Sequence, residues 1–226
     1  MTALCGEIGG AVGDIGFDHL FVQSEALAED LVQVTALPRY DDSERIRVSD
    51  LLCSLAMEHA QSACVLLRNG LLPSALVIHR AQFEAVLRSI WALYAATDSQ
   101  VAKLAGELSV DSEQAAKGLP STSVMMEELA NKAPQEPYKA LSEFKAHNWH
   151  ALNSYVHAGI HPVQRHQDGY PPPLIYNALL NVNGLMVFAA MQAAILTGVP
   201  YQQRQVLKVA ERYPDALRHK DSVREA

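Results

Sequence analysis

The feature that most constrains this chain is a long stretch without a charged side chain. No Asp, Glu, Lys or Arg occurs between Asp168 and Arg204, and residues 179–199 are long and apolar enough to cross a bilayer. Three amides interrupt residues 179–199: Asn181, Asn183 and Gln192. No basic cluster marks a cytoplasmic flank. A central helix buried on all sides therefore explains the stretch better than a membrane span, and we expect no membrane contact.

The composition of the whole chain favours helices over strands. Of its 226 residues, 49% are hydrophobic and only 7% are aromatic, while alanine and leucine, which suit helices, are abundant. This length and apolar content suffice for one hydrophobic core. We therefore expect an all-α fold, an up-and-down bundle of four to five long helices with no sheet.

Glycines, prolines and capping residues divide the chain. They predict long helices at about 18–37, 44–70, 73–96, 137–159 and 174–197, short helices in 98–133 capped by Asp98 and Ser121, a loop at 160–173 and an amphipathic segment at 202–217. Asp41 and Glu44 resemble a capping box, and Gly70 suits a left-handed helix stop. We assign 1–16 to a flexible arm, 17–217 to a single helical domain and 218–226 to a charged tail.

Charge and cysteine content bear on partners and location. The formal net charge is -7, which argues against a broad, sequence-independent grip on nucleic acid. Cys53 and Cys64 are too far apart on one helix to bridge, and with Cys5 they make an odd number, so we expect three reduced thiols. Residues 1–16 lack the pattern of a signal peptide, which favours a cytoplasmic protein. No glycine-rich phosphate loop occurs, and no cofactor is expected.

Polar residues recur with a spacing of four on two of the predicted helices. Arg80, Glu84 and Arg88 share one face of the third long helix, and Asn153 and His157 share one face of the fourth. Antiparallel packing could oppose the two faces, and burying polar groups without partners is unfavourable. The residues expected to converge in one cleft are Arg80, Glu84, Asn153 and His157.

Two segments carry a family resemblance: residues 66–84, LLRNGLLPSALVIHRAQFE, and residues 153–159, NSYVHAG. They resemble a bacterial all-helical family that is itself similar to the HEPN (nucleotide-binding) superfamily, over about residues 45–195. HEPN ribonucleases carry an arginine, often followed by a polar residue, and a histidine five positions after the arginine, on a helix at a dimer groove. Asn153 and His157 match this motif, while Leu152 stands where the arginine belongs.

The resemblance implies a protein of bacterial defence or toxin-antitoxin type that binds RNA, or cleaves it without a metal. It implies a homodimer and a cognate antitoxin or other partner protein. A cleavage site would need His157 to transfer a proton, Arg80 to replace the missing cation, and Glu84 to orient either of them. Further residues would contact the RNA: Arg88, His161 and Arg165.

Other interpretations stay open. Arg80, Glu84 and Arg88 could form an ion-pair ladder, with His157 a structural helix-end histidine. The chain could be a non-catalytic protein-interaction module, or the bundle could hold a ligand or metal pocket, which an enclosed cavity with inward histidine and glutamate would indicate. Four histidines cluster in sequence: His147, His150, His157 and His161. They lack acidic partners at the usual metal-site spacing, and we assign no metal ligand.

Overall fold

This computed structural model describes residues 15–217, with side chains from Phe17 onward. That range forms eleven helices and no strand, which confirms the all-α prediction. In chain order they are α1 (Ile15–Thr35), α2 (Glu44–Arg68), α3 (Leu72–Tyr94), α4 (Asp98–Ala105), α5 (Val110–Ala116), α6 (Thr122–Lys132), α7 (Gln135–Val156), α8 (Ile160–Asp168), α9 (Pro172–Leu196), α10 (Pro200–Arg212) and α11 (Pro214–Leu217). Most of the predicted arm and all of the predicted tail lie outside the described residues.

The short helices begin at residues that satisfy the first free N–H groups. Thr97 and Ser109 each form a capping box, at α4 and α5. The Ser121 side chain accepts a hydrogen bond from the Val124 backbone N–H at the start of α6. The predicted cap at Ser121 is therefore confirmed, whereas the predicted cap at Asp98 is wrong because Thr97 takes that position.

The start of α2 departs from the predicted capping box. Its N-cap residue is Ser43, whose side chain makes no capping hydrogen bond. Asp41 instead accepts a hydrogen bond from the Ser43 backbone N–H at 2.8 Å, as in an Asx turn. Hydrogen bonds from the Ser43 hydroxyl and backbone lower the pKa of the Asp41 carboxyl. At the other end, Gly70 has φ 72°, which confirms the left-handed stop.

The segment predicted as a loop at 160–173 contains a helix. α8 follows α7 after a reversal in which Ala158 has φ 50°. The Ser154 hydroxyl accepts a hydrogen bond from the His161 backbone N–H at 3.1 Å, which satisfies one free donor of the first turn of α8. α8 contains no buried residue, so no apolar stripe facing a core marks it as a helix in the sequence.

α3 and α9 lie at the centre of the molecule. α3 packs along α2 and, on its other sides, against α6 and α7. α9 packs against α2 and α3 and is covered by α1, α10 and α11. Both central helices are buried along most of their length, and α7 packs against one of them, α3.

α9 corresponds to the uncharged stretch. Within the described range it is the one helix long and apolar enough to cross a membrane, and 67% of its most apolar window is buried inside the protein. Asn183 Nδ2 donates to Ser24 Oγ at 2.8 Å and to the Ala216 carbonyl at 2.9 Å. Gln192 Nε2 donates to Ser49 Oγ at 3.2 Å. These amides are thus satisfied inside the protein, as a central helix requires.

The described cysteines are free thiols at Cys53 and Cys64. Burial raises the pKa of each thiol to about 12, so both are protonated and unreactive at neutral pH. Cys53 Sγ also lies 3.0 Å from the Ser89 hydroxyl. Cys5 lies outside the described residues.

Candidate functional site

Arg80 lies where α3 meets α7, and three side chains hold it. Its guanidinium carbon stacks 3.6 Å from the centre of the Trp149 ring. Its Nε donates to Asn153 Oδ1 at 3.2 Å, and its Nη1 lies 2.7 Å from Glu84 Oε1. That last contact is an ion pair whose angles do not suit a hydrogen bond. The predicted meeting of Arg80, Glu84 and Asn153 is present.

Glu84 is shared between Arg80 and α6. Thr122 Oγ1 donates at 3.1 Å to Glu84 Oε1, the same oxygen that pairs with Arg80. Arg88, one turn further along α3, forms no ion pair within residues 17–217. Of the possible ion-pair ladder of Arg80, Glu84 and Arg88, only the Arg80–Glu84 pair is present. Only 11% of the Arg80 side chain is exposed. A neutralised and mostly buried arginine is suited to joining helices rather than to binding phosphate.

His157 lies outside this cluster. α3 and α7 are antiparallel, because Arg80 contacts the last turns of α7 while the end of α3 lines a cavity with the first turn of α7. From Asn153 to His157, α7 advances one turn toward the start of α3. From Arg80 to Glu84, α3 advances one turn toward its own end. About two turns, roughly 11 Å along the axis, separate the levels of Glu84 and His157. The structure therefore brings together three of the four predicted residues.

The residues predicted to contact RNA are divided between two places. His157, His161 and Arg165 are exposed at the corner between α7 and α8, where the His161 ring stacks on Tyr155 with ring centres 6.3 Å apart. Arg88 lies on the far side of Arg80, about 12 Å along α3. One continuous groove through all of these residues is not formed.

A cleft that the sequence analysis did not single out opens between α3, α7 and α9. Its volume is about 700 Å³, within the range of small-molecule sites. Apolar atoms make up most of its surface. The lining residues with polar groups are His79, Glu143, His147, Asn148, Tyr155, Asn177 and Asn181.

His79 forms part of the wall of this cleft and is 1% exposed. Its Nδ1 lies 2.9 Å from Gln82 Oε1. Because the Gln82 amide nitrogen donates to the Val182 carbonyl at 3.0 Å, its oxygen faces His79 and requires the imidazole hydrogen on Nδ1. His79 Nε2 is then an acceptor. It is buried and has no hydrogen-bond partner in the described part of the chain.

The pKa of His79 determines whether its Nε2 can accept a hydrogen bond. Burial lowers the pKa of His79 to about 4, against a smaller opposing effect of the Gln82 hydrogen bond. The ring is therefore neutral at pH 7. A buried acceptor without a donor is unfavourable by about 1–3 kcal/mol, and a ligand that brings an N–H or O–H group would remove that cost.

The rim of the cleft adds further acceptors. His147 Nδ1 donates to the Glu143 carbonyl at 2.7 Å, and in the neutral imidazole this leaves His147 Nε2 as an acceptor. Asn181 Nδ2 donates to Asn148 Oδ1 at 3.2 Å, which leaves Asn181 Oδ1 as an acceptor. The Glu143 carboxylate adds negative charge. These groups favour a ligand that donates hydrogen bonds, and Asn177 and the Tyr155 hydroxyl add further polar contacts.

Sequence reasoning could have found His79 from its position. It stands between Leu76 and Phe83 on the apolar face of the third predicted helix, where a histidine must be neutral or paired. The charged pattern that includes its neighbour Arg80 is easier to connect with chemistry, and the predicted site was centred there.

The clustered histidines do not assemble a metal centre. Among residues 17–217, no three His, Cys, Asp or Glu side chains lie close enough together to hold a metal ion. Of the four histidines clustered in sequence, His147 lines the cleft and the other three do not. The cleft is therefore suited to hydrogen bonding and apolar contact.

The fold and the cleft define an all-helical protein with a partly open cleft between three helices. Residues 53–219 match a family of unknown function, DUF6988. The match covers more than half of the chain, so the protein belongs to that family. No curated protein and no solved structure matches it.

Proposed function

We propose that this protein binds a small organic molecule in the cleft between α3, α7 and α9. The observation that carries the proposal is the buried, unpartnered Nε2 of His79 in the wall of that cleft. Buried polar atoms in folded proteins are normally satisfied. An unpartnered atom in a residue that lines a cleft of ligand size is where we expect a ligand to donate a hydrogen bond.

The lining indicates the chemistry of the ligand. His79 Nε2, His147 Nε2 and Asn181 Oδ1 are acceptors, so the ligand carries hydroxyl or amine donors. Phe144, whose ring packs edge-to-face on His79 at 5.4 Å between ring centres, supplies apolar contact. A small alcohol, phenol or amine with an apolar body combines these features.

The test is ligand-observed NMR with a set of small alcohols, phenols and amines. His79→Phe should lower the affinity for these ligands about tenfold or more, because the variant has an aromatic ring at this position but lacks the acceptor Nε2. Binding to the wild-type protein should also weaken as the pH falls through about 4, since protonation removes the lone pair.

His150→Gln is the matched control for this test. His150 is exposed on α7 and does not line the cleft, so its variant should bind like the wild-type protein. Equal binding by the His79→Phe protein, shown to be folded by circular dichroism, would contradict the proposal. So would the absence of any binder for the wild-type protein.

A second candidate function is RNA binding by a HEPN-like helical bundle. What favours it is the exposed corner between α7 and α8, which carries the cation Arg165 together with His157 and His161. Arg165 could bind an RNA phosphate, a role for which Arg80 is unsuited because Glu84 neutralises it. Cleavage would additionally require His157 to transfer a proton.

RNA binding is expected to depend on salt and on this corner. Arg165→Ala should lower the slope of log affinity against log salt by about one, as for the loss of one phosphate contact. Arg204→Ala, which changes an exposed arginine on α10, is the control and should leave the slope unchanged. A slope that is the same for both variants would exclude this corner as the RNA site, and retained cleavage by His157→Ala would exclude its catalytic role.

A further inference from the structure

The cleft and a second cavity follow one another along α7 and α9, and the pair is named the groove. α7 packs closely on α3 but stands off from α9, which it reaches through the hydrogen bond from Asn181 to Asn148. Beyond the cleft, a second cavity of about 590 Å³ lies along the same two helices, with the end of α3 and part of α10.

The two cavities adjoin at Ala140, which lines both. The lining positions on α7 extend from Glu136 in the second cavity to Tyr155 in the cleft, about 28 Å along the helix axis. The side chain at the junction is a single methyl group. A slender chain that spans both cavities would pass this methyl group.

The chemistry changes along the groove. The acceptors His79, His147 and Asn181 lie in the cleft. The second cavity is mainly apolar, with Ile90, Val187, Phe188, Met191 and Ile195 among its lining residues. Of the polar side chains there, Gln192 donates its amide hydrogen to Ser49. Apolar surface left open to water is unfavourable.

We propose that the groove binds an elongated amphiphile, with a hydroxyl or amine head on His79 Nε2 and an apolar tail in the second cavity. This inference rests on the proposed ligand-binding function and names the class of ligand. An acceptor buried in the wall suits a slender head group, whereas a docked helix would rest on the rim and leave His79 unsatisfied. The length and the change from polar to apolar lining match a single molecule of this shape.

The experiment measures the affinity of straight-chain primary alcohols from butanol to decanol by calorimetry. Phe144, which packs on His79, is one turn from Ala140, about 6 Å, so butanol stays in the cleft and decanol extends past the junction. Affinity should increase about threefold to fourfold for each methylene that enters the second cavity. Decanol should therefore bind far more tightly than butanol.

Two variants test the position of the tail. Ala140→Phe narrows the junction, and Met191→Trp fills the second cavity. Each should reduce the affinity for decanol to near that for butanol. Ala146→Phe, at an exposed α7 position that lines neither cavity, is the matched control and should keep the difference between the two alcohols.

The outcomes separate this inference from the proposed function. If butanol binds through His79 but decanol binds no more tightly, the ligand-binding function stands and the amphiphile inference is overturned. A tighter decanol complex that neither filling variant affects also overturns it, because the tail then lies elsewhere. If neither alcohol binds the wild-type protein, both proposals fail.

Discussion

Lowering the pH from 7 to 4 is expected to reduce the free energy of unfolding through His79 by about 3 kcal/mol. Burial places the pKa of this imidazole at about 4 in the folded protein, against an ordinary value of 6.5. Between these values the unfolded chain binds a proton that the folded protein does not. Stability from this group is therefore complete above pH 6.5, is lost as the pH falls toward 4, and changes little further below 4.

The measurement is urea unfolding at several pH values for the wild-type protein and for His79→Phe. Other groups titrate in both proteins, so the informative quantity is the difference between them as a function of pH. His150→Gln should follow the wild-type curve, because His150 is exposed. If the His79→Phe and wild-type curves are parallel between pH 7 and 4, His79 is not a buried neutral group.

The second large effect is expected at Arg80. Arg80→Met keeps the aliphatic part of the side chain but removes the guanidinium that stacks on Trp149 and binds Asn153 and Glu84. A desolvated cation–π contact contributes up to about 2 kcal/mol, and a hydrogen bond to a charged group about 1.5–3 kcal/mol. Because Glu84 is 39% exposed and retains its hydrogen bond from Thr122, leaving it without Arg80 costs less free energy than it would for a buried carboxylate. We expect a total loss of about 2–3 kcal/mol.

Arg88→Met provides the matched comparison on the same helix. Arg88 is partly buried and forms no ion pair within the described residues, so its replacement should change stability by no more than about 0.5 kcal/mol. A double-mutant cycle with Trp149→Leu should give a coupling of about 1–2 kcal/mol between Arg80 and Trp149. Equal effects of Arg80→Met and Arg88→Met would show that the cluster does not stabilise the fold.

Much of the helical organisation could be predicted because its causes are local. The uncharged stretch that became α9 had to be buried, since its apolar length is unfavourable in water, and its amides found partners inside. Gly70 ends α2 because a residue without Cβ accepts a positive φ. The meeting of Arg80 with Asn153 also followed from spacing, because residues four apart share a helical face.

Other features depended on contacts between distant segments. Thr122 reaches Glu84 across 38 positions, and α8 is secured at its start by Ser154 of the preceding helix. His157 shares a face with Asn153, yet the antiparallel direction of α7 carries it away from Glu84. Spacing within one helix cannot specify that direction, because it depends on how the two helices pack.

The sequence by itself determined that this protein is helical, where most of its helices begin and end, and that the stretch after Asp168 is central. Only the tertiary structure decided that His79 is the candidate ligand-binding residue. Its tautomer depends on Gln82, whose orientation depends on the Val182 carbonyl of α9, 100 positions away. The cleft itself is the space that α3, α7 and α9 leave when they pack, and such a space is a property of the assembled helices, not of any one segment.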